Sequence, residues 1–190
     1  CDMDGNTAIT TIGIDIAASL GLVCVTSAGN WANEDPPEDP CESLSYYISA
    51  PADADSVIAV GAVSADSLIV YFSSRGPTYD GRIKPEVSAL GVNVAAANPA
   101  GGYSVFYSGT SASSPLVAGA AAVLLSANPQ WSNMEIREAL MMTASQADIP
   151  NNDYGYGLVN VWSALFYNYS GSTITTQHPA SFSLRTAYPN

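Results

Sequence analysis

Gly109-Thr110-Ser111-Ala112-Ser113-Ser114-Pro115-Leu116-Val117-Ala118-Gly119, continued by Ala120-Ala121-Ala122-Val123-Leu124-Leu125, is the stretch that decides the fold. Small and apolar side chains fall on every face of this run. That pattern predicts a helix over 111–126, buried through the centre of a domain. Pro115 fits only in the first turns, since proline has no N–H to give back to the preceding turn. Ser111 therefore stands at the helix start, where backbone N–H groups lack partners and the dipole is positive. From position alone two readings of it stay open. A serine there is a favoured cap. It is also a hydroxyl aimed by a rigid element, with its own N–H placed to stabilise an oxyanion.

Upstream, residues 7–20 set Ile9, Ile12, Ile16 and Leu20 at helical spacing, and Gly21 follows as a left-handed stop. Leu22-Val23-Cys24-Val25 is a short β-rich run that ends in Ser27-Ala28-Gly29-Asn30. Helix, glycine and buried strand in succession predict a parallel sheet. Further strands are expected at 57–62, 68–72 and 92–95, with turn chemistry at Arg75-Gly76-Pro77 and Tyr79-Asp80-Gly81. Ser132 with Glu135 three residues on is a capping box, and Ile136, Leu140 and Met141 supply the stripe of the helix it starts. A last helix is expected near 158–166. The fold class is α/β, a mostly parallel sheet flanked by helices. Residues 1–168 read as one portion of a domain. Residues 169–190, rich in Ser, Thr and Gly, read as a linker or the start of another segment.

Composition narrows the function. Apolar residues are 47% of the 190, charged residues only 12%, and 5 Lys and Arg against 17 Asp and Glu leave a formal charge of −12. Nucleic acid is excluded as a partner, because phosphates demand clustered cations. An anionic membrane surface is excluded on the same ground. The apolar run over 116–125 is too short to span a bilayer. His178 is the single histidine, and with Cys1, Cys24 and Cys41 widely spaced the common structural zinc patterns are absent. Cys24 reads as a small core residue, while Cys1 and Cys41 stay open to pairing with each other or with cysteines elsewhere. The acidic, proline-containing loop near Glu34 to Glu42 reads as solvated or calcium-attracting, or else as a pocket rim favouring basic substrate residues. Asp2-Met3-Asp4-Gly5-Asn6 resembles part of a calcium loop but lacks the distal Glu of an EF-hand. No metal or other cofactor is expected, Ca²⁺ being the one ion to consider. No signal peptide is visible, and the chain reads as a piece of something longer.

The ordered set of motifs is similar to one family. Gly109 to Gly119 resembles the nucleophile segment of the subtilisin-like serine proteases, with Ser111 at the nucleophile. Val25-Thr26-Ser27-Ala28-Gly29-Asn30 resembles the strand end that carries their oxyanion-hole asparagine, here Asn30. The stretch from Val57 to Pro85, then Pro129-Gln130-Trp131-Ser132 and Tyr154-Gly155-Tyr156-Gly157, follow in the family's order. The resemblance runs over about residues 7–168. Each motif alone is weak, Asn30 after Gly29 being also an ordinary turn pair.

The resemblance implies a serine-type endopeptidase acting on polypeptides through a Ser-His-Asp triad. It implies Ser111 as nucleophile, Asn30 as oxyanion donor, and Thr26, Ser27, Ala28 and Gly29 as one wall of the substrate pocket. The family's Asp and His segments lie upstream of the matching part, and no histidine precedes His178. The expected partner is thus an N-terminal segment of the same protease carrying both, without which the chain is inactive. The expected location is secreted or on the surface of a bacterial cell. Phe182-Ser183-Leu184 to Asn190 resembles the start of a C-terminal sorting domain of proteins exported by gliding-bacterium-type secretion. The alternative is a degenerate, non-catalytic protease-like binding domain. An esterase of the α/β-hydrolase class is excluded, because Gly109-Thr110-Ser111-Ala112-Ser113 lacks the second glycine of its elbow.

Relatives often carry Met after the nucleophile, where this chain has Ala112. With no thioether to oxidise beside Ser111, the intact enzyme is expected to keep its activity in dilute peroxide. A timed peroxide inactivation assay checks this, and rapid loss traced to the Ser111 region would contradict it.

Overall fold

A computed structural model describes residues 2–33, 35–36 and 46–168. After helix α1 (Ile9–Ser19), strands β1 (Val25–Ser27), β2 (Ile58–Val63) and β3 (Val87–Leu90) form a parallel sheet in the order β1-β2-β3. Val25 lies opposite Ile58, and Val60 opposite Val87. Strands β4 (Val94–Ala97) and β5 (Tyr103–Tyr107) make a separate antiparallel hairpin. Helices α2 (Thr110–Ala127), α3 (Asn133–Met142) and α4 (Val161–Leu165) follow.

The central strand explains the layering. Every residue of β2 is buried, as a strand covered on both faces must be. Successive side chains point to opposite faces. Ile58 and Val60 enter a core with Val117, Leu124, Ile136 and Leu140, while Val57 and Ala59 enter another with Ala28, Ile48 and Ala52. Helix α2 lies across all three parallel strands on the first face, and α1 reaches the second through Ile14. By length and mean hydropathy, 1.4, α2 alone among the described helices matches a membrane-crossing segment. Its packing along the sheet accounts for that composition, since a helix covering a buried sheet needs an apolar face.

Helix ends follow their local chemistry. Gly21, at φ +93°, closes α1: its N–H donates to Ala18 C=O and the Leu22 N–H donates to Ala17 C=O, a Schellman motif. At the start of α3, Ser132 Oγ accepts from the Glu135 N–H and Glu135 Oε2 accepts from the Ser132 N–H at 2.6 Å. Both expectations hold.

Other expectations do not. Residues 68–72 form no strand; Ile69 makes an isolated bridge with Val63, and the intervening chain turns at Ser67, φ +63°. The strand expected at 92–95 lies at Val94–Ala97, and it pairs with β5 rather than joining the parallel sheet. The run 111–126 is not buried on all faces, since one face of α2 is open at Ala118, Gly119 and Ala122. The stripe Ile9, Ile12, Ile16 and Leu20 points outward, and α1 packs instead through Thr11, Ile14 and Ala18. The buried residues of α1 are Thr11 and Ala18, one polar and one small, so apolar pattern alone does not say which face is covered. The last helix is shorter than expected, and β3 and β5 were not anticipated. Residues 169–190, read as a linker, lie outside the described residues, as do Cys1 and Cys41.

A buried ion network ties the sheet to α3. Glu86 Oε1 accepts from Lys84 Nζ and Arg137 Nη2, both at 2.7 Å, and its Oε2 accepts from the Ala59 N–H at 2.8 Å. Lys84 is almost wholly buried and also donates to Ala54 C=O. Burial pushes its ammonium below the ordinary lysine range, against the pull of Glu86. Glu86→Gln keeps the shape but leaves two cations without a counter-charge. It is expected to destabilise the fold by about 3–5 kcal/mol in denaturant unfolding; an unchanged midpoint would contradict the role given to this network.

Candidate active site

The carboxyl ends of the parallel strands meet the start of α2. The chain leaves β1 through Ala28 and Gly29 to Asn30, and the Gly109 N–H donates to Gly91 C=O just beyond β3 at 2.8 Å. In open α/β sheets this end is where sites form.

Gly109 holds the geometry. It precedes α2 at φ +140°, a backbone that L side chains rarely adopt. A Cβ built there would lie 3.0 Å from Ser111 Oγ and 3.2 Å from Asn30 Nδ2. The hydroxyl and the carboxamide therefore border one small space, which only glycine leaves empty. Both Ser111 and Asn30 are exposed.

The orientation of Asn30 is fixed from the helix. Its Oδ1 accepts from the Thr110 N–H at 2.9 Å and from Thr110 Oγ1 at 3.0 Å. Thr110 Oγ1 in turn accepts from the Gly29 N–H at 3.2 Å. With its oxygen engaged twice, the amide turns its N–H₂ toward the space beside Ser111. Ser74 clamps the same turn: its N–H donates to Gly29 C=O and its Oγ accepts from the Trp31 N–H. Of the first N–H groups of α2, Thr110's goes to Asn30 and Ala112's to Gly109 C=O, while that of Ser111 has no acceptor among the described residues. Two N–H donors and a hydroxyl thus converge at a helix N-terminus, an arrangement suited to stabilising an anionic tetrahedral centre.

The sequence placed Ser111 and Asn30, and the fold brings them together across 80 residues of chain. It missed Thr110 and Ser74, which orient Asn30. No signal in the sequence marks Thr110, whose burial appears only in the fold. Thr26 and Ser27 are half-buried on β1, Gly29 is half-buried against Ser74, and Ala28 is wholly buried in the second core. No histidine falls among the described residues, His178 lying outside them. The Asp2–Asn6 loop is closed by its own bonds. Asp4 accepts from the Asn6 and Thr7 N–H groups and from Thr7 Oγ1, and that hydroxyl holds its carboxyl below the usual range. Among the described residues no three Asp, Glu, His or Cys side chains gather as a metal set. Cys24 is a free, half-buried thiol packed by the second core, pushed up by burial. An apolar hollow of about 230 Å³ among Leu90, Leu116, Val117, Leu158 and Val161 shares no residue with the Ser111 site.

Residues 2–157 match the subtilase family. The chain is 40% identical over 161 residues to subtilisin E of Bacillus subtilis (strain 168), which covers 84% of this chain and 38% of that protein. It is 39% identical over 160 residues to subtilisin of Bacillus pumilus, 84% of this chain and 52% of the relative. Among solved structures, the self-cleaved protease domain of PatA aligns with a TM-score of 0.66 at 26% identity, over 85% of this chain and 56% of that one. The chain spans about 38% of the length of the first curated relatives it matches.

Gly109→Ala forces a methyl into the space between Asn30 and Ser111 at a disfavoured φ. It is expected to lower stability by about 1–3 kcal/mol, read by denaturant unfolding. Wild-type stability would mean that this turn relaxes freely, and the shared space would lose its rigid frame.

Proposed function

Since the chain belongs to the subtilase family, we propose that it supplies the nucleophile and the oxyanion hole of a secreted or cell-surface serine endopeptidase. The observation that carries this reading is the empty position at Gly109, bordered by Ser111 Oγ and Asn30 Nδ2.

Ser111 Oγ attacks the carbonyl carbon of a peptide bond, and its proton passes to an imidazole base. As the carbonyl oxygen gains charge, Asn30 Nδ2 and the Ser111 N–H donate to it. Thr110 holds the Asn30 oxygen, so the amide need not reorganise as charge develops. The backbone and side chains of Thr26 to Gly29 form one wall for the substrate residue before the scissile bond. The base and the carboxylate that orients it come from another segment of the protease. Without them the Ser111 hydroxyl stays protonated and weakly nucleophilic, so residues 1–190 alone do not turn over peptides. The acidic, lysine-poor composition suits an exported enzyme.

The test is made in the full-length protein. A fluorophosphonate should label the wild type, and Ser111→Ala should abolish labelling. Asn30→Leu should lower kcat by about 10²–10³, a figure that comes from subtilisin itself, the protein this chain resembles. Thr110→Val, which keeps the shape but removes the hydroxyl, should lower kcat by about tenfold with KM unchanged, the equivalent of one lost hydrogen bond. Labelling that survives Ser111→Ala would overturn the nucleophile assignment, and a full-length protein that never labels would leave a binding domain.

A further inference from the structure

The apolar hollow on the flank of β3 is a place for side chains. It measures about 230 Å³ and lies among Leu90 of β3, Leu116 and Val117 of α2, and Leu158 and Val161 near the last helix. Leu116 is 46% exposed, so the hollow opens to solvent. Its one polar side chain, Ser88, is already engaged, with Oγ donating to Tyr154 C=O at 3.1 Å. Water needs several polar partners to stay in such a space, and the lining side chains offer it none. The backbone of β3 is engaged there too. The Ser88 N–H donates to Gly157 C=O and the Val159 N–H donates to Ser88 C=O, which leaves Ser88 no backbone group for a further strand.

The chain's own continuation starts close to this place. Val161 lines the hollow and opens α4, which ends at Leu165, and Tyr169 follows eight positions after Val161. Trp162, next to Val161, is 72% exposed, so apolar surface continues onto α4. At about 3.3 Å per residue, an extended stretch over 169–190 is long enough to return to the hollow.

The composition of 169–190 suits that return. Phe182 and Leu184 stand two apart in a stretch otherwise rich in Ser and Thr. On an extended chain, side chains two apart point the same way. Charge agrees with this. All 17 acids lie before residue 154, while 169–190 holds Arg185 and no acid. The other four cations, Arg75, Arg82, Lys84 and Arg137, are already ion-paired within the fold. An acidic body and a basic tail attract each other.

We propose that the hollow between β3 and α2 is the docking site of the chain's own stretch 169–190, with Phe182 and Leu184 as the side chains that fill it. Arg185 then stays outside, among the carboxylates of the body. The contact makes this stretch a clasp on the outer flank of α2, the helix that carries Ser111. It stands apart from the protease reading, because it uses no residue of the Ser111 site and no chemistry at that serine.

The experiment uses the full-length protein carrying Ser111→Ala, so that self-cleavage is absent whatever Ser111 does. Trypsin cleavage after Arg185 is timed, because a docked bond is cut only while it is open. Phe182→Ala with Leu184→Ala should speed this cut by at least about tenfold, the order that burial of one Leu or Phe side chain supports. Leu116→Asp, which puts a charge in the hollow, should do the same, and Leu116→Met should leave the cut slow. Under mild oxidation Leu116→Cys with Leu184→Cys should cross-link within one molecule. Met134→Cys with Leu184→Cys should not, since α3 begins beside α1, where Asn133 bonds Ala18 C=O. Equal cutting of the parent, the tail variant and Leu116→Asp would overturn the docking. Cross-links that form only between two molecules would also overturn it, and would give the hollow to a second copy.

Discussion

The pair of hydrogen bonds from Thr110 to Asn30 Oδ1 couples the end of a strand to the start of a helix. The sheet fixes where Asn30 sits, and α2 fixes where Ser111 sits, but neither element sets which way the carboxamide faces. An unheld amide presents oxygen as readily as nitrogen, and its oxygen would repel a developing oxyanion. Thr110 removes that choice with its N–H and its hydroxyl together, and the Gly29 N–H holds the hydroxyl in turn. Ser74 then locks the turn from the other side through Gly29 and Trp31. The core supports this arrangement from below: α2 rests across β1, β2 and β3, so the strand ends and the helix start are packed against one another.

Much of this was legible in the sequence where local chemistry decides it. The capping box at Ser132 and the stop at Gly21 are set by a few adjacent residues, and both form as expected. The buried run at β2 announced itself by β-branched and small residues without polar interruption. Ser111 and Asn30 were legible as candidates because each lies in a recognisable motif, Gly109 to Gly119 and Val25 to Asn30.

What was not legible depends on distant residues. The stripe on α1 has the right period but faces solvent, because the periodicity of one helix says nothing about which neighbour is at hand. Residues 68–72 have strand-like side chains, yet the turn at Ser67 leaves them a single bridge. Nothing local marks Thr110 between Gly109 and Ser111. Its role exists only once β1 has brought Asn30 alongside, 80 residues away in the chain. Glu86 likewise has its role only once Lys84, Arg137 and the Ala59 N–H close around it.

The most direct test of the account is the crystal structure of the full-length protein carrying a phosphonate on Ser111. The account requires one phosphonyl oxygen within hydrogen-bond distance of both Asn30 Nδ2 and the Ser111 N–H, with Asn30 Oδ1 still held by Thr110. A phosphonyl oxygen turned to solvent, with the Asn30 amide rotated away from it, would contradict the claim that this strand end and this helix start make a single anion-stabilising site.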